Sequence, residues 1–349
     1  MRVVVAMSGG VDSSAAAALL KEQGHEVIGM TLRVWSYENQ GKRGSCCSPD
    51  DIDDARRVAE ALDIPFYVAG VEELFKQRVV NPFVESYLKG RTPIPCVACN
   101  RDVKFRFLLE RAKALGARLA TGHYARIEQR DGRFRLHRGD DPAKDQSYFL
   151  FNLGQEELAH LDFPVGQLTK PEVRAIAARH GLPTSSKPES MEICFVPGGD
   201  YAGFVERAAG PQPGGDLVDQ EGRVLGQHGG VHRFTVGQRR GLGVSGPVPL
   251  YVQRVDAGRR EVVVGPVVAV LRSQFDVLGC HWVDEAPAAE EPIEVRVRHR
   301  HTGVAAKVGA SALPGRWTVR PEVPVRAVTP GQAAVFYRGN EVLGGGWIA

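Results

Sequence analysis

The sequence predicts an α/β chain in which a doubly wound, parallel-sheet domain precedes a small central β-rich domain and a C-terminal β-barrel. Three observations carry this. Residues up to about Gly198 alternate short β-branched runs with Ala/Leu-rich helical stretches. A Ser/Gly loop lies directly between the first strand and the first helix. Beyond Gly198 helix signals fade, and Gly and Pro separate short alternating runs. The expected domains are residues 1–200, 201–272 and 273–349.

Val3 to Met7 is a continuously apolar run, as in a strand covered on both faces. Ser13 to Gln23 is Ala/Leu-rich and stops at Gly24, a helix with a glycine end. Glu26 to Trp35 is the second strand. The next helix starts at Ser48-Pro49-Asp50-Asp51, where Ser48 caps, Pro49 takes the first helical position and Asp51 completes a capping box. Ile64 to Val71 is the third strand, Phe75 to Leu88 and Val103 to Leu115 are helices, and Arg118 to Ala125 returns as a strand. Strands separated by helices of this length pair in parallel through right-handed crossovers. Further on, Gly222 to Thr235 and Leu250 to Val264 read as antiparallel strands. Ile293–Arg300, Ala305–Val308, Trp317–Val319 and Ala333–Tyr337 read as strands of the barrel.

With 349 residues and 43% apolar content the chain can bury two or three cores. No apolar run reaches the ~18 residues of a membrane helix; Val262 to Leu271 is broken by Gly265 and Pro266. Met1-Arg2 followed by Val3 to Met7 is too short for a signal peptide, so a cytoplasmic chain with no membrane partner is expected. The balance of 44 Lys+Arg against 41 Asp+Glu, net +3, leaves nucleic-acid and small-molecule partners both open. Cysteines stand at 46, 47, 96, 99, 194 and 280. Reduced thiols are expected there, and grouped ones point to metal or catalysis. Adjacent Cys46 and Cys47 do not suit one zinc ion, and Cys280 sits in an apolar strand setting.

The chemistry concentrates in Ala6-Met7-Ser8-Gly9-Gly10-Val11-Asp12-Ser13-Ser14, between the first strand and the first helix. Glycines let the backbone turn tightly and approach a ligand, while the helix start offers N–H groups and a positive dipole end. Hydroxyls at Ser8, Ser13 and Ser14 add donors. The loop is built for a phosphate or pyrophosphate, yet no Gly-Lys-Ser/Thr follows and no Gly-x-Gly-x-x-Gly is present. A plain strand-to-helix turn capped by serine would share part of this pattern.

Ser8-Gly9-Gly10-Val11-Asp12-Ser13-Ser14 resembles the pyrophosphate loop of the ATP pyrophosphatase superfamily, whose members cleave ATP between the α- and β-phosphates and adenylate a carbonyl oxygen. A second set narrows the resemblance: Gly90-Arg91-Thr92-Pro93-Ile94-Pro95-Cys96-Val97-Ala98-Cys99-Asn100, Ala120-Thr121-Gly122-His123-Tyr124, Lys144-Asp145-Gln146-Ser147-Tyr148-Phe149, Met191-Glu192-Ile193-Cys194-Phe195, Gly237-Gln238-Arg239-Arg240-Gly241-Leu242 and Thr329-Pro330-Gly331-Gln332. In this order, and with two β sections following, the chain resembles the bacterial tRNA 2-thiouridylase family from end to end. The resemblance implies an ATP-dependent tRNA sulfurtransferase that replaces the C2 oxygen of the wobble uridine, position 34, with sulfur in the transfer RNAs for Lys, Glu and Gln.

The physical logic fits that chemistry. A uridine C2 carbonyl is a poor electrophile, so adenylation must first turn its oxygen into a leaving group. A soft sulfur nucleophile then attacks C2, and sulfane sulfur is carried as a cysteine persulfide and freed by a second thiol. By resemblance Cys99 is the nucleophile and Cys194 bears the persulfide, the two ending as a disulfide. Cys99 lies just ahead of a helix expected to begin near Asn100, whose dipole would favour the thiolate. Pro188, Pro197, Gly198 and Gly199 flank Cys194, which predicts a mobile loop that orders when RNA binds.

The resemblance places ATP, with Mg²⁺, on Ala6, Met7, Ser8, Gly9, Gly10, Val11, Asp12, Ser13, Leu32 and Gly122; Asp12 serves either the metal or the helix cap. It places transfer RNA on Ile94, Pro95, Cys96, His123, Lys144, Asp145, Gln146, Arg298, His299 and Gln332. In the last section Arg296, Arg298, Arg300, Lys307, Arg316, Arg320 and Arg326 face only Glu294 and Glu322 as acids, and Arg296, Arg298 and Arg300 are expected on one face of a strand, a stripe suited to phosphates or a plain solvated face. Two departures stand out. Family members carry Asn-Pro-Asp where this chain has Ile94-Pro95-Cys96, and Tyr where it has His299. With Cys96 in place, Cys96, Cys99 and Cys194 also make a candidate ligand set for an iron–sulfur cluster, a rival to the persulfide. A sulfur donor such as a cysteine desulfurase or relay protein is implied. Another adenylating enzyme of the superfamily and a non-catalytic RNA-binding or sulfur-relay protein are the alternatives.

Overall fold

The computed structural model describes residues 1–35, 48–189 and 193–349, and divides into two compact units. One holds Met1–Val79, Cys96–Gly199 and Asn340–Val342; the other holds Val80–Pro95, Asp200–Gly339 and Leu343–Ala349.

The first unit is built on strands β1 (Arg2–Ala6), β2 (Glu26–Arg33), β3 (Phe66–Gly70), β4 (Arg118–Thr121) and, after the hairpin strands β5 (Ala125–Arg130) and β6 (Arg133–Arg138), β7 (Leu161–Asp162). The sheet order is β3-β2-β1-β4-β7, and the pairings are parallel. Val3, Val4 and Val5 are fully buried, which is why β1 reads as an unbroken apolar run and not an alternating one. Helix α1 (Val11–Glu22) packs on it through Ala15, Ala16, Ala17 and Ala18, whose small side chains permit close approach. Helix α2 (Pro49–Ala61) has the expected capping box: Ser48 Oγ accepts from Asp51 N at 3.2 Å and the Asp51 carboxylate accepts from Ser48 N at 3.0 Å. The strand order reverses between β1 and β4, so the crevice at their carboxyl ends is the place where a doubly wound sheet receives a ligand.

Two elements differ from expectation. The helix read over Phe75–Leu88 is in pieces: an α-turn Glu72–Phe75, a π-helical stretch Lys76–Val80, and a helix Asn81–Leu88. Pro82 has no N–H to close the ladder across that join. The β5–β6 hairpin turns through Asp131 (φ 51°) and Gly132 (φ 74°), a two-residue Asp-Gly turn whose signal stands in the sequence but was not read. Residues 341 and 342 pair with β6.

In the second unit the helices Asn81–Leu88 and Tyr201–Ala209 meet through Phe83–Phe204 (centroids 6.0 Å) and the stacked pair Tyr87–Tyr201 (6.3 Å). A four-stranded sheet follows, made of β8 (Gly215–Val218), β9 (Val224–His228), β10 (Tyr251–Asp256) and β11 (Glu261–Gly265), in the order β10-β11-β8-β9. Its β11–β8 pairing is parallel, where all-antiparallel strands were expected, because the long connection from β9 brings the chain back so that β10 runs in the same direction as β9. After the two-residue strand β12 (Leu271–Arg272), which pairs with β17 (Val325–Arg326), come β13 (Phe275–Trp282), β14 (Pro292–Arg296), β15 (Val304–Ala310), β16 (Arg316–Pro321), β18 (Ala333–Arg338) and β19 (Glu341–Ile348). The order β13-β16-β15-β14-β18-β19, closed by β13 with β19, makes a six-stranded barrel, so no edge is left over. Val277, Val295, Val308, Val319 and Phe336 fill it, with Trp282 between Trp317 (4.9 Å) and Phe336 (5.5 Å).

Candidate active site

β1 ends at Ala6, and the chain passes through Met7, Ser8, Gly9 and Gly10 into α1 at Val11. Gly10 is the extended N-cap residue, and its carbonyl accepts from Ser13 Oγ (3.1 Å) and Ser14 Oγ (2.9 Å). Ser8 N donates to Ser13 Oγ at 3.1 Å, so the serines tie the loop into a ring. Gly9 has φ +72°, and a Cβ there would lie 2.1 Å from the Asp51 carbonyl oxygen at the start of α2. Loop and α2 touch backbone to backbone. Lys187 joins the same contact, donating to Gly9 O (3.0 Å), Asp51 Oδ1 (2.6 Å) and Asp54 Oδ2 (2.6 Å). Burial works against its charge, but the bonds to Asp51 and Asp54 outweigh it and hold the ammonium above the ordinary lysine range. Lys187→Met leaves two carboxylates facing each other beside the loop. Urea unfolding is expected to show a loss of about 1–3 kcal/mol, discounted for the partial exposure of the cluster; unchanged stability would remove Lys187 from this role.

Across the loop the end of β4 supplies Thr121, Gly122 and His123. A Cβ on Gly122 would lie 2.6 Å from Asp12 C and Ser13 N, so this turn abuts the α1 start. The crevice encloses a cleft of about 280 Å³. Met30, Leu32, Phe105 and Leu108 form an apolar wall suited to a flat ring, and Ser8, Asp12, Lys144 and Lys170 line a polar end beside the helix start. These features fit ATP: N–H groups for phosphate, lysines for its charge, an apolar slot for the base. Ala6, Met7, Ser8, Gly10, Val11, Asp12, Ser13, Leu32 and Gly122, all expected nucleotide residues, line this one cleft, with Gly9 beneath it.

Asp12 is committed within the protein. Its Oδ1 accepts from Tyr124 Oη (2.8 Å) and Lys170 Nζ (2.7 Å), and Lys170 also reaches Oδ2 (2.9 Å). Lys170 is 8% exposed and bridges Asp12 to Glu189 (2.9 Å), which Lys144 also binds (2.6 Å). The Lys144 hydrogen bond first, then Lys170, hold the Glu189 carboxyl down at about 2. Sequence reasoning missed Lys170, Lys187, Tyr124 and Glu189. Only the Thr169-x-x-Glu172 cap that starts the Lys170 helix was legible, and it says nothing about where the lysine points.

Cys99 is 8% exposed, Cys96 is exposed and Cys194 half-buried. The helix expected from Asn100 starts earlier, at Pro95, as a turn Pro95–Ala98 that runs into a π-helical stretch Cys99–Phe105 and on to the helix Arg106–Ala114. Proline suits a first turn, and this correction puts Cys96 there, where the dipole acts, and Cys99 one turn inside, at the start of the π stretch. Phe195, next to Cys194, is buried against Phe75 (5.5 Å) and Trp35 (6.4 Å), which anchors that segment just past the thiol. Among the described residues no three His, Cys, Asp or Glu side chains gather closely enough to hold a metal ion. Cys96, Cys99 and Cys194 are thus not gathered into a ligand set among the described residues. Cys46, Cys47, Met191 and Glu192 lie outside the described residues. Burial pushes the Cys280 thiol up to about 12, in keeping with a packed residue.

The expected RNA residues are divided between the two units. Ile94, Pro95, Arg298, His299 and Gln332 belong to the second unit; Cys96, His123, Lys144, Asp145 and Gln146 belong to the first. Asp145 is 5% exposed and accepts from Gly139 N (3.3 Å) and Ser147 N (3.0 Å), so it holds a turn. Gln146 exchanges hydrogen bonds with the Tyr124 backbone and faces the nucleotide cleft with His123 and Lys144. Pro95 is buried. Gln332 is turned inward, donating to Thr92 O at 2.9 Å. The arginine stripe is corrected as well. β14 ends at Arg296, and Arg298, His299 and Arg300 lie exposed in the turn beyond it. Acids not counted in the sequence meet the other cations: Asp276 pairs with Arg316 (3.0 Å), and Glu290 with Lys307 (3.1 Å) and Arg320 (3.8 Å).

His123 packs between Phe105 (5.7 Å) and Phe163 (6.1 Å), with Nδ1 2.8 Å from Thr121 Oγ1. Burial first, then the Lys104 charge, hold its pKa down at about 3. The unfolded chain takes up that proton near 6.5, so the stability this group contributes is full above pH 6.5 and is lost as pH falls towards 3. Replacing His123 by Asn is expected to flatten the loss of urea stability between pH 7 and 5; equal slopes for both proteins would contradict the buried neutral ring.

A parallel sheet that delivers a Ser-Gly-Gly loop to a helix start at its switch point, followed by a β-rich section and a closed barrel, defines a nucleotide-binding α/β class carrying two β modules. Three family models match in series: tRNA methyl transferase HUP domain over residues 1–198, tRNA methyl transferase PRC-barrel domain over 202–266, and aminomethyltransferase beta-barrel domain over 272–348. A protein named tRNA-specific 2-thiouridylase MnmA from Geobacter metallireducens is 56% identical over 359 residues, covering 99% of this chain and 96% of that one. Proteins of the same name from Geotalea uraniireducens (55%, covering 99% and 94%) and Chloroflexus aurantiacus (52%, covering 99% and 98%) match as fully. The chain belongs to the tRNA-specific 2-thiouridylase family.

Proposed function

We propose that this chain is an ATP-dependent tRNA-uridine 2-sulfurtransferase that makes 2-thiouridine at position 34 of the transfer RNAs for Lys, Glu and Gln. The observation that carries the reading is the loop Ser8–Ser13 at the sheet's switch point, opening on a cleft lined by Lys144, Lys170 and Lys187 together with Met30, Leu32, Phe105 and Leu108. Domains 1–200, 201–272 and 273–349 divide the work into adenylation and two β modules for the RNA. Mg²⁺ accompanies ATP, a cysteine desulfurase or relay protein supplies sulfur, and the enzyme works in the cytoplasm.

The uridine O2 attacks the α-phosphorus of ATP and pyrophosphate leaves towards the loop N–H groups. The terminal sulfur of the Cys194 persulfide attacks C2, and AMP departs with the former O2. The Cys99 thiolate then attacks Cys194 Sγ; the S–S bond breaks, sulfur stays on C2, and a Cys99–Cys194 disulfide forms. A cellular thiol reduces that disulfide and the donor reloads Cys194. Exposed Arg298, His299 and Arg300 supply phosphate contacts that weaken with salt. Transfer RNA orders the segment around Cys194, and protease protection there by RNA, absent without it, checks this point.

The decisive assay supplies unmodified transfer RNA for Lys with ATP and a persulfide donor to iron-free protein. Wobble 2-thiouridine with one AMP per sulfur is the expected result; ATP turnover without sulfur on the RNA would overturn the reading. In the same assay Cys96→Ala is expected to retain activity within about threefold, since the persulfide route uses only the other two thiols. Loss of activity there, restored in the parent only by iron, would return the cluster to favour.

A further inference from the structure

Two of the sequence's motifs outside the cleft, that beginning Gly90-Arg91-Thr92 and Thr329-Pro330-Gly331-Gln332, meet at one residue, joined there by Thr235, which stands two residues before the Gly237-Gln238 motif. Thr92 N donates to Pro330 O (2.9 Å), Gln332 Nε2 donates to Thr92 O (2.9 Å), and Thr92 Oγ1 lies 3.2 Å from Thr235 Oγ1. Both backbone groups and the hydroxyl of a single loop residue are thus held, by the barrel on one side and the central section on the other. The barrel side is rooted in β19: Gly331 N donates to Ile348 O (3.0 Å) and Ile348 N donates to Gln332 O (2.9 Å). The central side is fixed by Thr235 N donating to Gln238 Oε1 (3.0 Å). Contact is tight enough to demand glycine. At Gly331 (φ +90°) a Cβ would meet Thr92 O at 3.0 Å and Arg91 Cβ at 3.1 Å, and at Gly90 (φ +70°) it would meet Val255 Cγ1 at 2.8 Å.

Thr92 stands two residues before Ile94 and four before Cys96, and the stretch Val80–Pro95 groups with the β modules although the chain on either side of it does not. We propose that Thr92 is a junction through which the barrel and the central section set the position of the segment Ile94–Cys99, with Gln332 and Thr235 as positioning residues. The assignment of that segment to sulfur transfer rests on the proposed function; the junction itself does not. Gln332 then acts on the reaction through its bond to Thr92.

The test uses full-length protein without RNA, with amide hydrogen exchange over residues 94–99, and thiolation kinetics in parallel. Gln332→Ala and Thr92→Val are expected to speed exchange over 94–99 by about tenfold, the loss of roughly one hydrogen bond, while β14 amides in the barrel keep their protection. Gln332→Glu, whose carboxylate cannot donate to the Thr92 carbonyl, should behave like the alanine variant. In thiolation, kcat should fall about tenfold with transfer-RNA affinity within twofold, since misplacing a reacting segment costs rate and not binding. His299→Ala should do the reverse, weakening RNA binding with exchange unchanged. Unchanged exchange over 94–99 in both Gln332→Ala and Thr92→Val would overturn the junction, as would a Gln332→Ala defect confined to RNA affinity. Faster exchange in a protein that thiolates no RNA at all would sustain the junction and sink the function.

Discussion

Serine at position 99 or 194 is expected to abolish sulfur transfer, by at least about a thousandfold, while ATP still binds. A hydroxyl is a far poorer nucleophile than a thiolate and cannot carry sulfane sulfur. The two substitutions should fail differently. Without the Cys194 thiol no persulfide forms and the RNA stays unmodified. Without the Cys99 thiol the persulfide attacks C2, but nothing cleaves the resulting S–S bond. Cys99→Ser should therefore accumulate a covalent protein–RNA adduct through Cys194, released by added thiol reductant. Cys99 is 8% exposed, and sulfur-to-oxygen replacement removes little volume, so the fold is expected to hold. Denaturing gels of each variant after incubation with transfer RNA and ATP read the outcome; an adduct in Cys194→Ser and none in Cys99→Ser would reverse the assigned roles.

Gly9→Ala is expected to cost at least about 100-fold in ATP affinity and ~2–4 kcal/mol of stability. The new Cβ would sit 2.1 Å from the Asp51 carbonyl, and backbone meets backbone there, so neither side can yield as a flexible side chain would. The left-handed φ of +72° adds strain for any L side chain. Gly122→Ala should share this fate, with its Cβ 2.6 Å from Ser13 N. Gly10→Ala makes the contrast. Its φ of −94° suits alanine and the nearest atom, Ser8 Oγ, is 3.5 Å from the added carbon, so unfolding stability should change by less than ~1 kcal/mol. Urea unfolding of the three variants with nucleotide titration checks the ranking. Equal tolerance at 9 and 10 would mean the loop is not pinned to α2.

Much of the cleft was legible because its determinants are local. A Ser-Gly-Gly turn between an apolar strand and an Ala-rich helix specifies its own geometry, and Ser48 with Asp51 specifies a helix start. Elsewhere a partner that the motif does not name decided. Asp145 and Gln146 were expected at the transfer RNA by resemblance, and the structure bonds them to Gly139, Ser147 and the Tyr124 backbone. Arg316 and Lys307 read as free phosphate ligands until Asp276 and Glu290 arrive from other strands. The Cys99 helix was expected from Asn100, but Pro95 already serves in its first turn.

By itself, then, the sequence determined the class of fold, the strand-to-helix Ser-Gly-Gly loop and the family, since these rest on residues a few places apart or on motifs in a fixed order along the chain. Only the tertiary structure decided that Lys187 and Lys170 brace the loop from residues 178 and 158 places away, that no described metal cage forms around the thiols, and that Gln332 grips Thr92 across 240 residues. The reason is physical. A buried charge or amide is tolerable only when partners from other elements satisfy it, and those partners are chosen by packing, which no periodicity in the sequence encodes.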